Sequence, residues 1–127
     1  MLTINTHTDE ASKAIVVSLC GDAGMAELDL LDAGLKKVVA LRPTLAIIDL
    51  AGLKFASSIA LGKLIDFHRG MTRHGGRVIL AGAGLNVSNV IRASRLDQFF
   101  EIYANVREAL GEAAATAKAL GFEGLGH

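Results

Sequence analysis

The chain has 127 residues, 51% of them hydrophobic, enough for one domain with a real core. Thirteen basic and thirteen acidic residues cancel without any block of like charge. This excludes a protein that holds nucleic acid or a membrane surface by bulk electrostatics. The one cysteine, Cys20, excludes an internal disulfide and a cysteine-based zinc cluster. With no Trp, one Tyr and five Phe, the core must be aliphatic.

The amino-terminal MLTINTHTDE lacks a charged segment followed by an apolar one, so no secretion signal is expected. No apolar run reaches the length of a membrane span, and the expected location is the cytoplasm. Leu2–Asn5 alternates weakly and reads as a short edge strand, followed by polar, turn-like Thr6–Ser12. Ala14–Cys20, AIVVSLC, is a strand rich in β-branched residues, with Cys20 expected as a buried, inert thiol. Gly21-Asp22-Ala23-Gly24 then turns the chain. Met25–Leu41 carries Leu28, Leu31, Leu35 and Val38 at helical spacing and is stopped by Arg42-Pro43.

The stretch Thr44–Met71 organises the rest. Leu45–Ile48 is a continuous apolar run, suited to a strand covered on both faces, which Asp49 and Ala51–Lys54 are expected to break. Leu61, Leu64, Ile65 and His68 then mark one face of a helix running to about His74 and stopped by Gly75-Gly76. Ser57 or Ser58 is its natural N-cap. Arg77–Ala81 is a further strand, and Asn86 or Ser88 caps a short helix through Ser94. Phe99–Tyr103 reads as an edge strand, and Asn105 caps an alanine-rich helix, Val106–Leu120. Residues 1–120 then form the domain, and the glycine-rich 121–127 is expected to fray. Strands alternating with helices imply an α/β domain with a largely parallel sheet of four to five strands and about four helices.

Little of this carries enzyme chemistry. Gly82-Ala83-Gly84-Leu85-Asn86-Val87 lacks the last glycine of a dinucleotide fingerprint, and no GK[ST] phosphate loop exists. His7, His68, His74 and His127 are scattered without metal-ligand spacing. GxSxG is absent around Ser57 and Ser58, and no acid/base pair presents itself. Asp49 reads as closing a strand and satisfying a turn. Asp22 and Asp29 suggest only solvation or partner contact. The chain is therefore expected to be neither an enzyme nor a metal or cofactor binder.

The order of blocks resembles the STAS domain, and within it the bacterial anti-sigma-factor antagonists. The resemblance rests on the Gly21-Asp22 turn, the strand AIIDLAGLKF, the serine corner, the helix ending in HGG, RVILAGAG and VIRASRLDQFFEIY. The family's corner reads Asp-Ser-Ser/Thr-Gly-Leu-Gly. With Phe55, Leu61 and Gly62 as anchors, its Asp position holds Ser57 and its phosphoacceptor position Ser58, followed by Ile59 and Ala60. The resemblance implies a single STAS-like domain that acts by partner switching. Its partner would be an ATP-binding anti-sigma factor of the serine-kinase type, reset by a phosphatase, with no nucleic acid and no membrane insertion. Ser58 is the implied phosphorylation site and Ser57 the second candidate. The implied docking surface comprises three segments, the Gly21–Met25 turn, Lys54–Ala60 and the Gly82–Asn86 loop, with Asp22, Gly24, Met25, Lys54, Ser57, Ser58, Ile59, Gly84 and Asn86 as its contact residues. The alternative is a STAS subunit of a membrane transporter or other assembly that docks without phosphorylation.

Overall fold

The computed structural model describes residues 1–119; the tail expected to fray lies outside the described residues. Five strands, β1 (Leu2–Thr8), β2 (Ile15–Ala23), β3 (Leu45–Ala56), β4 (Arg77–Ala81) and β5 (Glu101–Tyr103), lie side by side in chain order. Only β1 runs antiparallel to its neighbour; β2 through β5 are parallel. The sheet grows in one direction, so right-handed crossovers place the three connecting helices on one face. These are α1 (Leu28–Ala40), α2 (Ser58–Arg73) and α3 (Leu85–Ala93). The last helix, α4 (Val106–Ala119), covers part of the other face.

The core is double, as the apolar run of β3 requires. Ala46, Ile48 and Leu50 point into the three-helix layer beside Leu31, Leu35, Leu64 and Ile91. Leu45 and Ile47 point the other way, with Val16, Ile79, Ala109 and Ala113. No charged or polar residue is buried among the described residues.

Several boundaries differ from the sequence expectation. β3 does not break at Asp49 but continues to Ala56, twelve residues in all. The Asp49 carboxylate is accommodated within the strand, accepting from Ala51 N at 3.0 Å and from the Ser18 hydroxyl at 3.2 Å. Leu50, Leu53 and Ala56 meanwhile stay buried on the helix-bearing face. β2 likewise runs on through Gly21-Asp22-Ala23 and follows β3 by two register shifts. Gly21 has φ +103°, and a Cβ there would collide with the Met1 carbonyl. Cys20 is exposed, not buried. Strand alternation gives the core side to Leu19 and puts Cys20 on the opposite face, outside the patch that α4 covers. There its sulfur stands 2.6 Å from where a Cβ at Gly52 would sit, so a larger residue at 52 forces the Cys20 side chain to shift.

The first helix begins with a 3₁₀ turn, Met25–Glu27, in which the Glu27 carboxylate accepts from Gly24 N at 3.2 Å. β1 extends past Asn5 to Thr8. Neither Asn86 nor Ser88 caps α3; Gly84 holds the N-cap position in extended backbone, and its carbonyl takes Ser88 N at 2.8 Å. Asn105 does cap α4, accepting from Glu108 N at 2.8 Å. β5 is limited to Glu101–Tyr103 because Phe99 closes a 3₁₀ turn instead.

Candidate functional site

The parallel ends of β2 and β3 stop together, with Ala23 beside Ala56. Ser57 continues this pairing by one bond, its N–H donating to the Ala23 carbonyl at 2.9 Å. It then opens α2: its backbone is extended, its Oγ accepts from Ala60 N at 3.0 Å, and its carbonyl accepts from Leu61 N at 3.0 Å. Ser57 is the cap. Ser58 is therefore the first residue of the helix proper, and it is exposed. The face of α2 explains the division, since Ala60 and Leu61 turn into the core while Ser58 and Ile59 turn out.

Two of the predicted segments meet here. Asp22 stands in register with Phe55, and the backbone of Gly24 approaches the Phe55 ring. Asp22, Met25, Lys54, Ser58 and Ile59 are exposed, while Gly24 and Ser57 are half-buried. The third segment is on the same edge but set back. β3 runs from Leu50 to Ala56 beyond its last partner on β4, so the loop after β4 starts beside Ala51 rather than beside the serines. Gly84 and Asn86 are exposed at the start of α3.

Phe55 and Leu85 lie within the predicted docking segments, but the sequence reading did not single them out. They are 51% and 74% exposed, and with Met25 at 67% and Ile59 at 51% they give this edge four large apolar side chains in water. A Phe ending a strand reads as core in any periodicity. The break in alternation at Lys54-Phe55, two exposed residues after buried Leu53, shows only in the structure. Such side chains collected on one edge, with Asp22 and Lys54 among them, have the composition of a protein-docking surface.

Among the described residues no three His, Cys, Asp or Glu side chains gather as a metal site. His74 Nε2 is 2.7 Å from the Pro43 carbonyl, and His68 packs edge-on against Phe100 with ring centroids 5.3 Å apart. A groove of about 410 Å³ lies between α1 and α2, away from the serine corner. Within it Asp32 takes Lys36 at 2.8 Å and Lys63 at 3.7 Å. The hydrogen bond from Lys36 holds the Asp32 carboxyl below its ordinary pKa. No helix among the described residues is long and apolar enough to cross a membrane.

A family model described as the STAS domain matches residues 5–109. No curated protein matches the chain. Among solved structures, an anti-sigma factor antagonist from Mycobacterium paratuberculosis is similar at TM-score 0.81 and 24% identity, over 89% of this chain and 94% of that one. The Bacillus cell fate determinant SpoIIAA in its phosphorylated form is similar at TM-score 0.66 and 19% identity, over 87% and 98%. The STAS domain of a SulP transporter from Vibrio cholerae is similar at TM-score 0.70 and 18% identity, over 84% of each chain.

Proposed function

The chain belongs to the STAS domain family, and from that premise we propose that it is an anti-sigma-factor antagonist controlled by phosphorylation at Ser58. In this reading it is a binding protein, not an enzyme. The observation that carries it is the outward Ser58 at the first position of α2, on an edge bearing exposed Met25, Phe55 and Ile59. Unmodified, this edge docks an anti-sigma factor of the ATP-using serine-kinase type through its apolar side chains, with Asp22 and Lys54 setting orientation. Gly84 and Asn86 extend the contact along the same edge. The kinase transfers a phosphoryl group to the Ser58 hydroxyl, the complex separates, and a phosphatase restores the serine.

Electrostatics supports such a switch without a change of fold. A phosphate adds about −1.5 to −2 charges. The first turn of α2 accepts that charge through its dipole and free N–H groups. Burying the same charge against apolar side chains costs on the order of several kcal/mol, enough to release a partner. Ser57 caps α2 at the position where the family pattern has Asp, so the corner carries one negative charge fewer.

Incubation with ATP and candidate kinases, followed by intact-mass measurement, tests the reading. One added phosphate, abolished by Ser58→Ala and retained in Ser57→Ala, is expected. Ser58→Asp is expected to weaken kinase binding with almost no change in melting temperature; equal binding by both forms would refute the switch. The second reading, a docking subunit of a membrane transporter, is favoured by the likeness to the SulP domain and by Ile59 and Ala60 in place of the family's hydroxyl residue and glycine. It predicts partner binding with no phosphate incorporated.

A further inference from the structure

The two edges of the sheet are built differently. β5 is three residues long and is crossed by the Arg77–Glu101 ion pair at 2.7 Å, so it offers little backbone to another strand. β1 is seven residues long, LTINTHT, with no proline and no Lys, Arg, Asp or Glu. Its register against β2 is unbroken from Leu2↔Gly21 to Thr8↔Ile15, so no bulge twists the edge away. No described strand pairs with its outer side. A long, flat edge without the usual blocking devices is a template for strand addition.

A groove of about 280 Å³ lies directly beside that edge, between β1 and α1, with Ile4, Leu30, Ala33 and Leu41 in its lining. Leu30 is 52% and Leu41 70% exposed. We propose that the chain forms a two-fold dimer in which β1 pairs antiparallel with β1 of a second copy, and α1 packs antiparallel against its counterpart. One two-fold axis normal to the sheet reverses both elements at once. A register centred on Asn5 uses all of Leu2–Thr8 and sets Ile4 of one copy beside Thr6 of the other.

Spacing and charge favour this occupant over an unrelated peptide. Strands pair about 4.8 Å apart, and α1 packs over both β1 and β2. Set back by about half a strand spacing, the two α1 helices would stand about 10 Å apart, near the ordinary helix packing distance. Asp29 lies near the start of α1 and Arg42 just past its end, so antiparallel packing brings these opposite charges together, while the Lys37 side chain in the groove lining extends to solvent. An added peptide strand would complete the backbone pairing but leave Leu30 and Leu41 uncovered; a second α1 covers both. The serine corner lies at the ends of β2 and β3 and stays open in such a dimer, so the proposal stands apart from the reading of Ser58.

Light scattering and sedimentation of the full chain up to about 100 µM test it, dimerisation being concentration-dependent. Twice the monomer mass is expected. Leu30→Glu and Thr6→Lys change exposed side chains, and each is expected to weaken the dimer at least tenfold with the circular dichroism unchanged. In a Cys20→Ser background, Asn5→Cys is expected to form an intermolecular disulfide on mild oxidation, faster than Thr3→Cys or His7→Cys. A monomer at every concentration overturns the proposal. So does a dimer indifferent to both charge substitutions. Protection of the β1 amides only on addition of a different protein would give the edge to that partner and equally refute self-pairing.

Discussion

Replacing Ser57 by alanine separates the two serines more sharply than any other single change. The Ser57 hydroxyl satisfies Ala60 N–H at 3.0 Å, and Ala60 is 1% exposed, so water does not easily replace it. Loss of an N-cap costs about 1 kcal/mol, within roughly 0.5–2. An orphaned buried donor pushes toward the upper half of that range. For a domain of this size about 1.5 kcal/mol corresponds to a fall of about 4–8 °C in melting temperature. Thermal and urea melts followed by circular dichroism read this directly. Ser57→Asp keeps a good capping acceptor and should melt near the parent protein. Ser58→Ala alters an exposed side chain and should stay within about 0.5 kcal/mol. If Ser58→Ala is the more destabilising, or Ser57→Ala changes nothing, the assignment of cap and acceptor is wrong.

Other consequences follow from the sheet. Gly52→Ala places a Cβ against the Cys20 sulfur and should cost about 1–3 kcal/mol, with much of the loss recovered in the Gly52→Ala, Cys20→Ala double variant; additive losses in urea melts would show that the clash lies elsewhere. Cys20 should react with a thiol reagent in the folded protein at nearly the rate of the unfolded chain, and strong protection would contradict its exposure. The Asp9 carboxylate accepts from the Ser12 hydroxyl at 2.7 Å and from Ser12 N at 2.9 Å, which lower its pKa from the ordinary 3.8. A lowered folded-state pKa means that its stabilisation is present above that ordinary value and is lost as pH falls through the lowered one. Asp9→Asn should therefore destabilise slightly at neutral pH and converge with the parent in acid; a constant difference across the titration would refute this.

How much was legible in the chain differs from element to element. Leu45–Ile48 carried the fold, since four consecutive apolar residues suit a central parallel strand covered on both faces, and β3 is that strand. The α2 period and a serine cap at 57 or 58 also lay in the local pattern, because capping involves only residues within one turn, while the choice of Ser57 followed from which face of α2 is buried. Asp49 misled because its partner Ser18 is 31 residues away, and no local rule announces a carboxylate satisfied across two strands. Cys20 misled for a related reason. Its apolar neighbours Val16, Val17 and Leu19 establish a strand, but only the position of α4 decides which part of the second face is dry.

The serine corner shows the same division. Residue types alone determine that a helix begins near Ser57 and that its first turn favours negative charge. The exposure of Phe55, the closeness of Gly24 to it, and the set-back of the Gly84–Asn86 segment depend on where parallel strands of unequal length end. Hydrophobic period and capping act over a few residues and are written in the chain. Which surface is left uncovered is set by contacts between segments distant in sequence, and those exist only once the sheet and its helices have assembled.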